Sequence, residues 1–482
     1  MSFTSFHFGL FVIISFIANN YCRGKTTYGL VAFLINLAFF SSFFDTLLGA
    51  VPIVIFLITA YFLVVLSFYI KKPFVLFISL FAVMMIFSYL KKYTFVSWSP
   101  ELPFVYTVIG MSYILFRVIH LIVDVYEGSI KDKIGFIDFI NYCCFFLVLV
   151  SGPIVRYQDF SLQYLSKESS LLLSREDVVG AFSRILTGYI KIVGLSALFI
   201  FLFSTFNQEY WQLKVGTGGK VVAVWFGYAS VTYFFHLYFN FTGYMDVVIG
   251  LGILFGYRLP ENFNKPLLAS SFLEFWTRWH ITLSEWFRTY FFNPLVKWLN
   301  GVVKDSNKHV VSIGILGYFA TFLVIGYWHT PSICLAILLG VGAAVNKIFQ
   351  GFSKQIFGKK RMKRLNGNDF FNYICRGLTI SYLAISIAFL WMDYREIYFK
   401  YSFVWIAVSF FMIWAVVGAV SAMAMVIYDK LARFANRFHL VIENQSLSCM
   451  ATNAWLVSKL FIILYASLIT INPTPAFIYM GF

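Results

Sequence analysis

Long apolar runs separated by short polar segments form the dominant pattern of this chain. The runs are solid rather than alternating, which favours helices over a barrel of strands. About 20 helical residues cross the hydrocarbon layer of a bilayer, so the pattern predicts an all-α integral membrane protein with about 11 transmembrane or re-entrant helices. The candidate segments are residues 5–20, 28–44, 46–70, 73–90, 104–123, 137–151, 178–206, 221–256, 311–328, 332–349, 374–392, 401–428 and 453–471.

Three stretches depart from that pattern. Residues 156–178 are polar and predict a loop, and residues 221–256 predict a pair of helices or one broken helix. Residues 267–300 predict an amphipathic helix that lies along an interface or dips into the protein, in which Glu274 and Arg278 pair four residues apart. Its tryptophans are expected to anchor it at the membrane surface. Its apolar positions at helical spacing are Phe272, Phe275, Trp276, Trp279, Leu283 and Trp286.

Composition supports a membrane protein and argues against nucleic acid as a partner. Hydrophobic residues make up 60% of the 482 residues and charged residues 12%, against about 25% charged in soluble domains. The net charge of +16 comes from short basic clusters between apolar runs, a pattern typical of cytoplasmic loops. Six scattered cysteines, including the adjacent Cys143 and Cys144, predict packed thiols and neither disulfides nor a metal site. The first apolar run lacks a basic leader, so no cleavable signal peptide is expected.

The basic clusters also predict an orientation. The densest one, residues 354–364, is expected in the cytoplasm. Counting back one span places the turn at His329 outside, and counting back another returns His280 to the inner side. Counting forward places residues 472–482 outside. Lys91 and Lys92 do not fit this scheme.

Two histidines in or beside apolar segments are the first candidates for chemistry, because ionisable groups at bilayer depth often mark functional paths. His329 follows Gly326, Tyr327 and Trp328, and His280 follows Arg278 and Trp279. An imidazole can take and give a proton near neutrality. A packed, hydrogen-bonded histidine is the alternative for both.

Polar residues before His280 form a second group. Asp246 lies inside an apolar run, so it needs a partner, for which Arg258 or Arg278 is predicted. The wall of a water-filled channel and a structural ion pair are both open interpretations. The predicted channel residues are Asn240, Asp246, Asn262, Arg278 and Trp328.

These motifs, with residues 240–246, 260–266 and 275–276, resemble the membrane-bound O-acyltransferases. The similarity is to the bacterial branch with alginate O-acetylation, peptidoglycan O-acetylation and teichoic-acid D-alanylation proteins, and it is close over residues 100–350. It implies a polytopic helical fold around a transmembrane tunnel, with His329 as the catalytic base and His280 on the acyl-donor route or in a structural role. Relatives usually continue Trp-His-Gly, whereas Thr330 follows His329 here, which puts the pocket shape or acceptor in question.

Residues 477–482 resemble an aromatic tail found on glycan O-acetylation members and on a partner peptide of D-alanylation systems. The resemblance implies that Tyr479 holds the acyl group between donor and final acceptor. A phenol suits this role, because its pKa near 10 is only about 1.5 units above that of a thiol, so its ester stays activated. An aromatic residue anchored at the membrane edge is the alternative.

The resulting expectation is an acyltransferase in the bacterial cytoplasmic (inner) membrane. Acetyl-CoA or another acyl thioester is the expected donor, with no bound cofactor, and an extracytoplasmic SGNH-type or esterase-like acyltransferase is the expected partner that acylates a cell-wall or secreted polysaccharide. Transfer of D-alanine to teichoic acid is one alternative. A transporter or export scaffold is another, although no internal repeat supports it. The expected regions are 1–100, a core at 101–350, further spans at 351–471 and the tail 472–482.

Overall fold

The described part of the chain is built from helices. The computed structural model describes residues 5–93, 108–164, 173–211, 219–304, 309–329, 333–391 and 445–469, with shorter pieces within 102–106 and 411–433. Among these residues the one β-type contact is an isolated bridge between Phe263 and Trp279. The all-α prediction is therefore confirmed.

The α-helices and their bounds are, in chain order, α1 (Phe6–Cys22), α2 (Tyr28–Ser41), α3 (Leu47–Tyr69), α4 (Pro73–Leu90), α5 (Met111–Glu127), α6 (Phe136–Cys143), α7 (Tyr157–Tyr164), α8 (Arg175–Tyr189), α9 (Ala197–Trp211), α10 (Gly219–Leu254), α11 (Phe272–Trp276), α12 (Ile281–Phe287), α13 (Asn293–Val302), α14 (Val310–His329), α15 (Ile333–Asn366), α16 (Asp369–Ala388) and α17 (Gln445–Ile469). Two π-helices, Ile190–Ser196 and Arg288–Phe292, and a 3₁₀-helix, Pro266–Leu268, connect them.

Seven helical segments of the described chain are long and apolar enough to cross a membrane. Three shorter apolar helices accompany them. Their exposed side chains are largely aliphatic and aromatic, as expected for surfaces that contact acyl chains rather than water. The chain is thus a multi-pass membrane protein. The seven segments are Leu47–Tyr69, Pro73–Leu90, Arg175–Thr205, Val224–Leu254, Val310–His329, Ile333–Gly358 and Asp369–Ala388.

The first of two compact units contains the described residues up to Gly188 and the segment Tyr244–Glu261. Within it α3 packs against α4 and α5, and α2 packs against α6. Buried Arg23 donates to the carbonyl of Phe255 at 2.9 Å. The hydroxyls of Tyr28 and Tyr257 lie 2.8 Å apart. These bonds attach the returning segment to α1 and α2.

Glycines set the ends of α5, which begins later than the predicted segment 104–123. Gly110 and Gly128 flank the helix with φ of 74° and 80°, a region that glycine enters without steric cost. A side chain at Gly110 would also meet the carbonyl oxygen of Leu149 at 2.8 Å. The helix is therefore fixed at Met111–Glu127.

The predicted span 137–151 is wrong, because helix α6 ends at Cys143 and irregular turns follow. The cause is Arg117, whose side chain is fully buried on α5. Its guanidinium donates to the carbonyls of Cys143 at 2.7 Å and Val148 at 2.6 Å. These bonds satisfy carbonyls that a continuing helix would otherwise pair.

The second unit contains Tyr189–Gly243 and the described residues from Asn262 to Ile469. Helices α14 and α15 form its most extensive helix pair, and α15 also packs against α11 and α16. Helix α17 packs against the π-helix Ile190–Ser196. This unit contains both candidate histidines.

Two further segments differ from prediction. The polar stretch 156–178 contains α7 and the start of α8 instead of a continuous loop. Residues 221–254 of the predicted segment 221–256 lie within one continuous helix, α10. Its polar residues do not break the helix, because Thr242 donates to the carbonyl of Tyr238 at 2.8 Å and Asp246 pairs with a cation.

Candidate active site

His280 lies at a break between α11 and α12, so the predicted amphipathic helix over 267–300 is wrong at this point. Its backbone has φ of 46° and ψ of 53°. This left-handed conformation costs a non-glycine residue about 1–2 kcal/mol. It persists only where neighbouring contacts fix it, and such positions cluster at functional sites.

A short pairing between two loop segments supplies those contacts. The N–H of Asn264 donates to the carbonyl of Arg278 at 2.9 Å, and the N–H of Ile281 donates to the carbonyl of Asn262 at 3.0 Å. Between these bonds the rings of Phe263 and Trp279 meet edge to face at 5.0 Å. The pairing holds the residues on both sides of His280.

Asn262 determines which nitrogen of His280 carries the proton. Its Oδ1 accepts from the N–H of Thr282 at 3.1 Å and from the Thr282 hydroxyl at 3.0 Å, and lies 3.3 Å from Nδ1 of His280. An oxygen that accepts these bonds can only accept from the imidazole too, so Nδ1 is the donor. The neutral ring therefore carries its lone pair on Nε2, directed away from Asn262.

The surroundings of His280 favour the neutral ring. Burial lowers its pKa well below the usual value, and the charge that His329 would carry when protonated lowers the pKa further. His280 is 1% exposed. At neutral pH the ring is therefore uncharged and can accept a proton.

His329 is the last residue of α14. Its ring contacts that of Trp328, with centroids 4.5 Å apart. Three residues earlier, a side chain added at Gly326 would lie 2.4 Å from the Cα of Ala336 on α15. Glycine is needed at 326 because the two backbones approach so closely, and this approach places His329. Residues 330–332, which include the unusual Thr330, lie outside the described residues.

Aromatic residues enclose His280. The ring of Phe241 on α10 meets the imidazole at 5.0 Å. Trp276 and Trp279 are 7% and 3% exposed, so their predicted role as membrane-surface anchors is wrong. They pack inward because the break at His280 turns this segment into the unit.

The predicted pair of Glu274 and Arg278 is confirmed, with Nη2 and Oε1 2.8 Å apart. Burial alone would raise the pKa of Glu274, but hydrogen bonds from Ser270 and Arg278 outweigh it and lower the pKa. Both side chains remain about one-third exposed. Arg278 therefore lies at the rim of the second unit and outside the enclosed site around His280.

Asp246 has a different partner from the ones predicted. It pairs with Arg184 at 3.1 Å, and the same guanidinium forms two bonds with Glu261 at 2.5 and 2.6 Å. Neither Arg258 nor Arg278 is involved in this pair, because α8 presents a cation within the first unit. No local pattern in the sequence points to Arg184, which lies 62 residues from Asp246.

The predicted site residues that the structure describes are thus divided between the two units. The second unit contains buried Asn240 and Asn262, His280, His329, Trp328 and Arg278, whereas Asp246 lies in the first unit. Tyr479 lies outside the described residues. Among the described residues no group of three or more His, Cys, Asp and Glu side chains could hold a metal ion.

Sequence reasoning missed a buried histidine in the second unit. His236 is 3% exposed, and its Nδ1 lies 2.9 Å from the hydroxyl and 3.0 Å from the carbonyl of Ser196. Ser196 ends a π-helix, a feature frequent at functional sites. The signal was a histidine inside the apolar run of α10.

The sequence of the central region matches a known family. Residues 68–389 match MBOAT, the membrane-bound O-acyltransferase family. The matched region includes both histidines, Asn262 and the helices that position them.

Curated relatives fall into three groups by name. "Probable alginate O-acetylase AlgI" of Pseudomonas aeruginosa is 32% identical over 251 residues, 50% of this chain and 46% of that protein. "Teichoic acid D-alanyltransferase" of Bacillus subtilis is 30% identical over 225 residues, 46% and 53% of the two chains. "Peptidoglycan O-acetyltransferase" of Helicobacter pylori is 30% identical over 217 residues, 44% and 38%. The match spans about half the length of such relatives.

Proposed function

This chain belongs to the membrane-bound O-acyltransferase family. We propose that it transfers an acyl group from a thioester donor to a hydroxyl, and that this group is acetyl. Acetyl-CoA is the proposed donor substrate and no cofactor is needed. The acceptor pathway leads to a cell-wall or secreted polysaccharide. The bacterial cytoplasmic membrane is the proposed location.

The reaction requires one proton to move. The acceptor oxygen attacks the thioester carbonyl carbon, a C–O bond forms and the C–S bond breaks. A neutral imidazole takes the hydroxyl proton and returns it to the departing sulfur. Such general base catalysis typically contributes 10²–10⁴-fold.

The observation that carries the proposal is the state of His280, held neutral by burial and fixed by Asn262 in one tautomer. His329 lies in the same unit and influences the charge of His280. The electrostatic effect of one imidazole on the other supports a proton relay between them. We assign proton removal from the acceptor to His329. We assign to His280 both the positioning of the donor thioester and the return of the relayed proton to its sulfur.

The path of the acyl group beyond the two histidines is proposed from sequence motifs. Asn240, Asn262 and Trp328 are proposed to line the path of the acyl group. Tyr479 is proposed as the hydroxyl that receives it, and an extracytoplasmic SGNH-type or esterase-like acyltransferase as the partner that moves it to the glycan. Only the acyl group then has to cross the membrane.

The direct test replaces His329 by Ala in the full-length protein in membrane vesicles supplied with isotopically labelled acetyl-CoA. We expect incorporation of label into protein and glycan to fall by at least about a hundredfold, with the protein amount unchanged on a blot. His309 is an exposed histidine, so His309→Ala is the matched control and should retain activity. Full labelling by His329→Ala would refute the proposed base.

The proposed tail acceptor is tested by Tyr479→Phe, which removes one oxygen and keeps the ring. Loss of the labelled tail peptide in mass spectrometry is expected. D-alanine transfer is the rival, favoured by the D-alanyltransferase among the relatives. The mass of the adduct on Tyr479 distinguishes an acetyl from a D-alanyl group.

A further inference from the structure

A large cavity lies in the second unit between the segment 268–278 and helices α15 and α16. Its volume is about 1020 Å³. Of the site residues predicted from sequence, only Arg278 lines it, and Arg278 lies outside the enclosed site around His280. The cavity is therefore distinct from the enclosed site around His280.

One end of the cavity is apolar and opens towards lipid. Val341 and Val345 on α15 and Leu378 on α16 line it and are 38%, 57% and 39% exposed. These residues belong to segments that are long and apolar enough to cross a membrane. Exposed aliphatic side chains on such helices contact acyl chains, so the apolar end of the cavity is open to the bilayer.

The other end is polar and lies near the membrane surface. Gln350 and Asn372 line it together with Arg376, which pairs with Asp429 at 2.9 Å. The Nε of Arg376 is buried and has no hydrogen-bond partner among the described residues. Because about 20 helical residues cross the hydrocarbon layer, a span that begins at Ile333 reaches the opposite surface about one turn beyond Gln350.

A dense positive charge lies at the same end. The apolar part of α15 ends at Gly358, and Lys360, Arg361, Lys363 and Arg364 follow, all exposed. No Asp or Glu occurs from residue 346 to residue 368. Basic residues just beyond a membrane span attract anionic lipid head groups, with about 1 kcal/mol for each residue.

We propose that this cavity is a binding site for an anionic phospholipid that enters from the bilayer. The acyl chains lie along Val345 and Leu378. The phosphate lies at the polar end, where it can accept a hydrogen bond from Arg376 and is attracted by the basic segment 360–364. This amphipathic arrangement favours a lipid over a soluble phosphate compound, because the apolar mouth opens to acyl chains.

The test measures lipid retention rather than acyl transfer, so it stands apart from the proposed activity. The full-length protein is reconstituted in vesicles of equal phosphatidylglycerol and phosphatidylcholine and re-extracted in mild detergent, and the retained lipids are quantified by mass spectrometry. We expect enrichment of phosphatidylglycerol. Combined Lys360→Gln, Arg361→Gln and Arg364→Gln should reduce that enrichment by about fivefold or more. The matched charge control changes three exposed cations of the first unit, Lys131→Gln, Lys133→Gln and Arg258→Gln. It should leave the enrichment of phosphatidylglycerol unchanged.

A bulky residue at the apolar end of the cavity distinguishes lipid binding in the cavity from attraction of lipid by surface charge alone. Val345→Trp and Leu378→Trp should each reduce retention of phosphatidylglycerol, whereas Val311→Trp, on an exposed position of α14 outside the cavity, should not. The melting temperature checks that each variant is folded. Unchanged enrichment in both mouth variants overturns the site in favour of surface attraction. Displacement of the lipid by CoA alone overturns it in favour of a soluble phosphate ligand.

Discussion

Two buried histidines, one in each unit, show how differently the same side chain can be held. His120 on α5 accepts the N–H of Tyr157 through Nε2 at 2.9 Å, and its Nδ1 lies 3.5 Å from a carboxylate oxygen of Asp124. His280 is held through Nδ1 by a neutral amide oxygen. In His120 the lone pair of Nε2 accepts a backbone N–H, whereas in His280 it is Nδ1 that meets the partner, by donating to Asn262.

Burial alone does not identify a histidine that exchanges a proton. Both rings are 1% exposed, so burial cannot distinguish them. The hydrogen-bonded nitrogen and the charge of the partner do distinguish them. An imidazole whose N–H donates to a neutral acceptor stays uncharged, and an uncharged imidazole can take a proton.

The largest effect is expected from replacing the two histidines in turn. His280→Ala should lower acyl transfer by about a hundredfold or more and change the melting temperature little. His120→Ala should leave transfer per folded molecule nearly unchanged but lower stability by about 1–3 kcal/mol, because the buried N–H of Tyr157 loses its acceptor. Labelled acetyl transfer and thermal unfolding in detergent measure the two effects.

The opposite pattern would contradict the distinction between the two histidines. In that case His120→Ala would abolish transfer without loss of stability, and His280→Ala would only unfold the protein. The choice of hydrogen-bonded ring nitrogen would then not indicate which histidine acts in transfer. The measurement requires equal amounts of folded protein, which size-exclusion chromatography provides.

Solid apolar runs predicted the helices well, and polar residues inside them were the source of error. Residues 73–90 were predicted as a span, and α4 occupies Pro73–Leu90. The prediction of a span at 137–151 was wrong because a buried arginine on another helix donates hydrogen bonds to carbonyls of this segment. Such a contact joins residues distant in sequence, so no local pattern reports it. Arg117 itself stands inside an apolar run, and that was the available signal.

The site was predictable in its residue types but not in its geometry. Family motifs pointed to His280 and His329, and the structure places both in one unit. The left-handed backbone at His280 could not be predicted, because it depends on the pairing with Asn262 and Asn264. Asn262 was predicted as a channel residue, and the structure shows it as the partner of His280.

A second prediction concerns the helix that carries His329. Gly326→Ala should lower stability by about 1–3 kcal/mol and reduce transfer, because the new methyl group would meet the backbone of Ala336. Gly314→Ala on the same helix meets only the flexible end of Lys347 at 3.8 Å. It should be neutral or stabilise by up to about 1 kcal/mol. Equal behaviour of the two variants would show that close packing does not position His329.

The smallest effect is expected at Asn262, where one atom can be exchanged. Asn262→Asp keeps the shape and the acceptor that holds Nδ1 but adds a negative charge beside His280. A nearby negative charge raises the pKa of an imidazole, so the buried ring would gain a proton at a higher pH. Transfer near pH 6.5 should therefore fall relative to the wild type.

The direction of the pKa change predicts how the rates of the wild type and of Asn262→Asp depend on pH. In the wild type the pKa of His280 is lowered, so the neutral form persists as the pH falls through the ordinary value. In Asn262→Asp the raised pKa makes the neutral form, and with it the activity, disappear as the pH falls and return as it rises. The ratio of wild-type to variant rate should therefore shrink between pH 6 and pH 8. Asn264→Asp, two residues along on an exposed side chain, adds the same charge away from the ring and should follow the wild-type profile. A constant ratio across this range would mean that His280 takes no proton during transfer, and the contrast with His120 would then be one of structure alone.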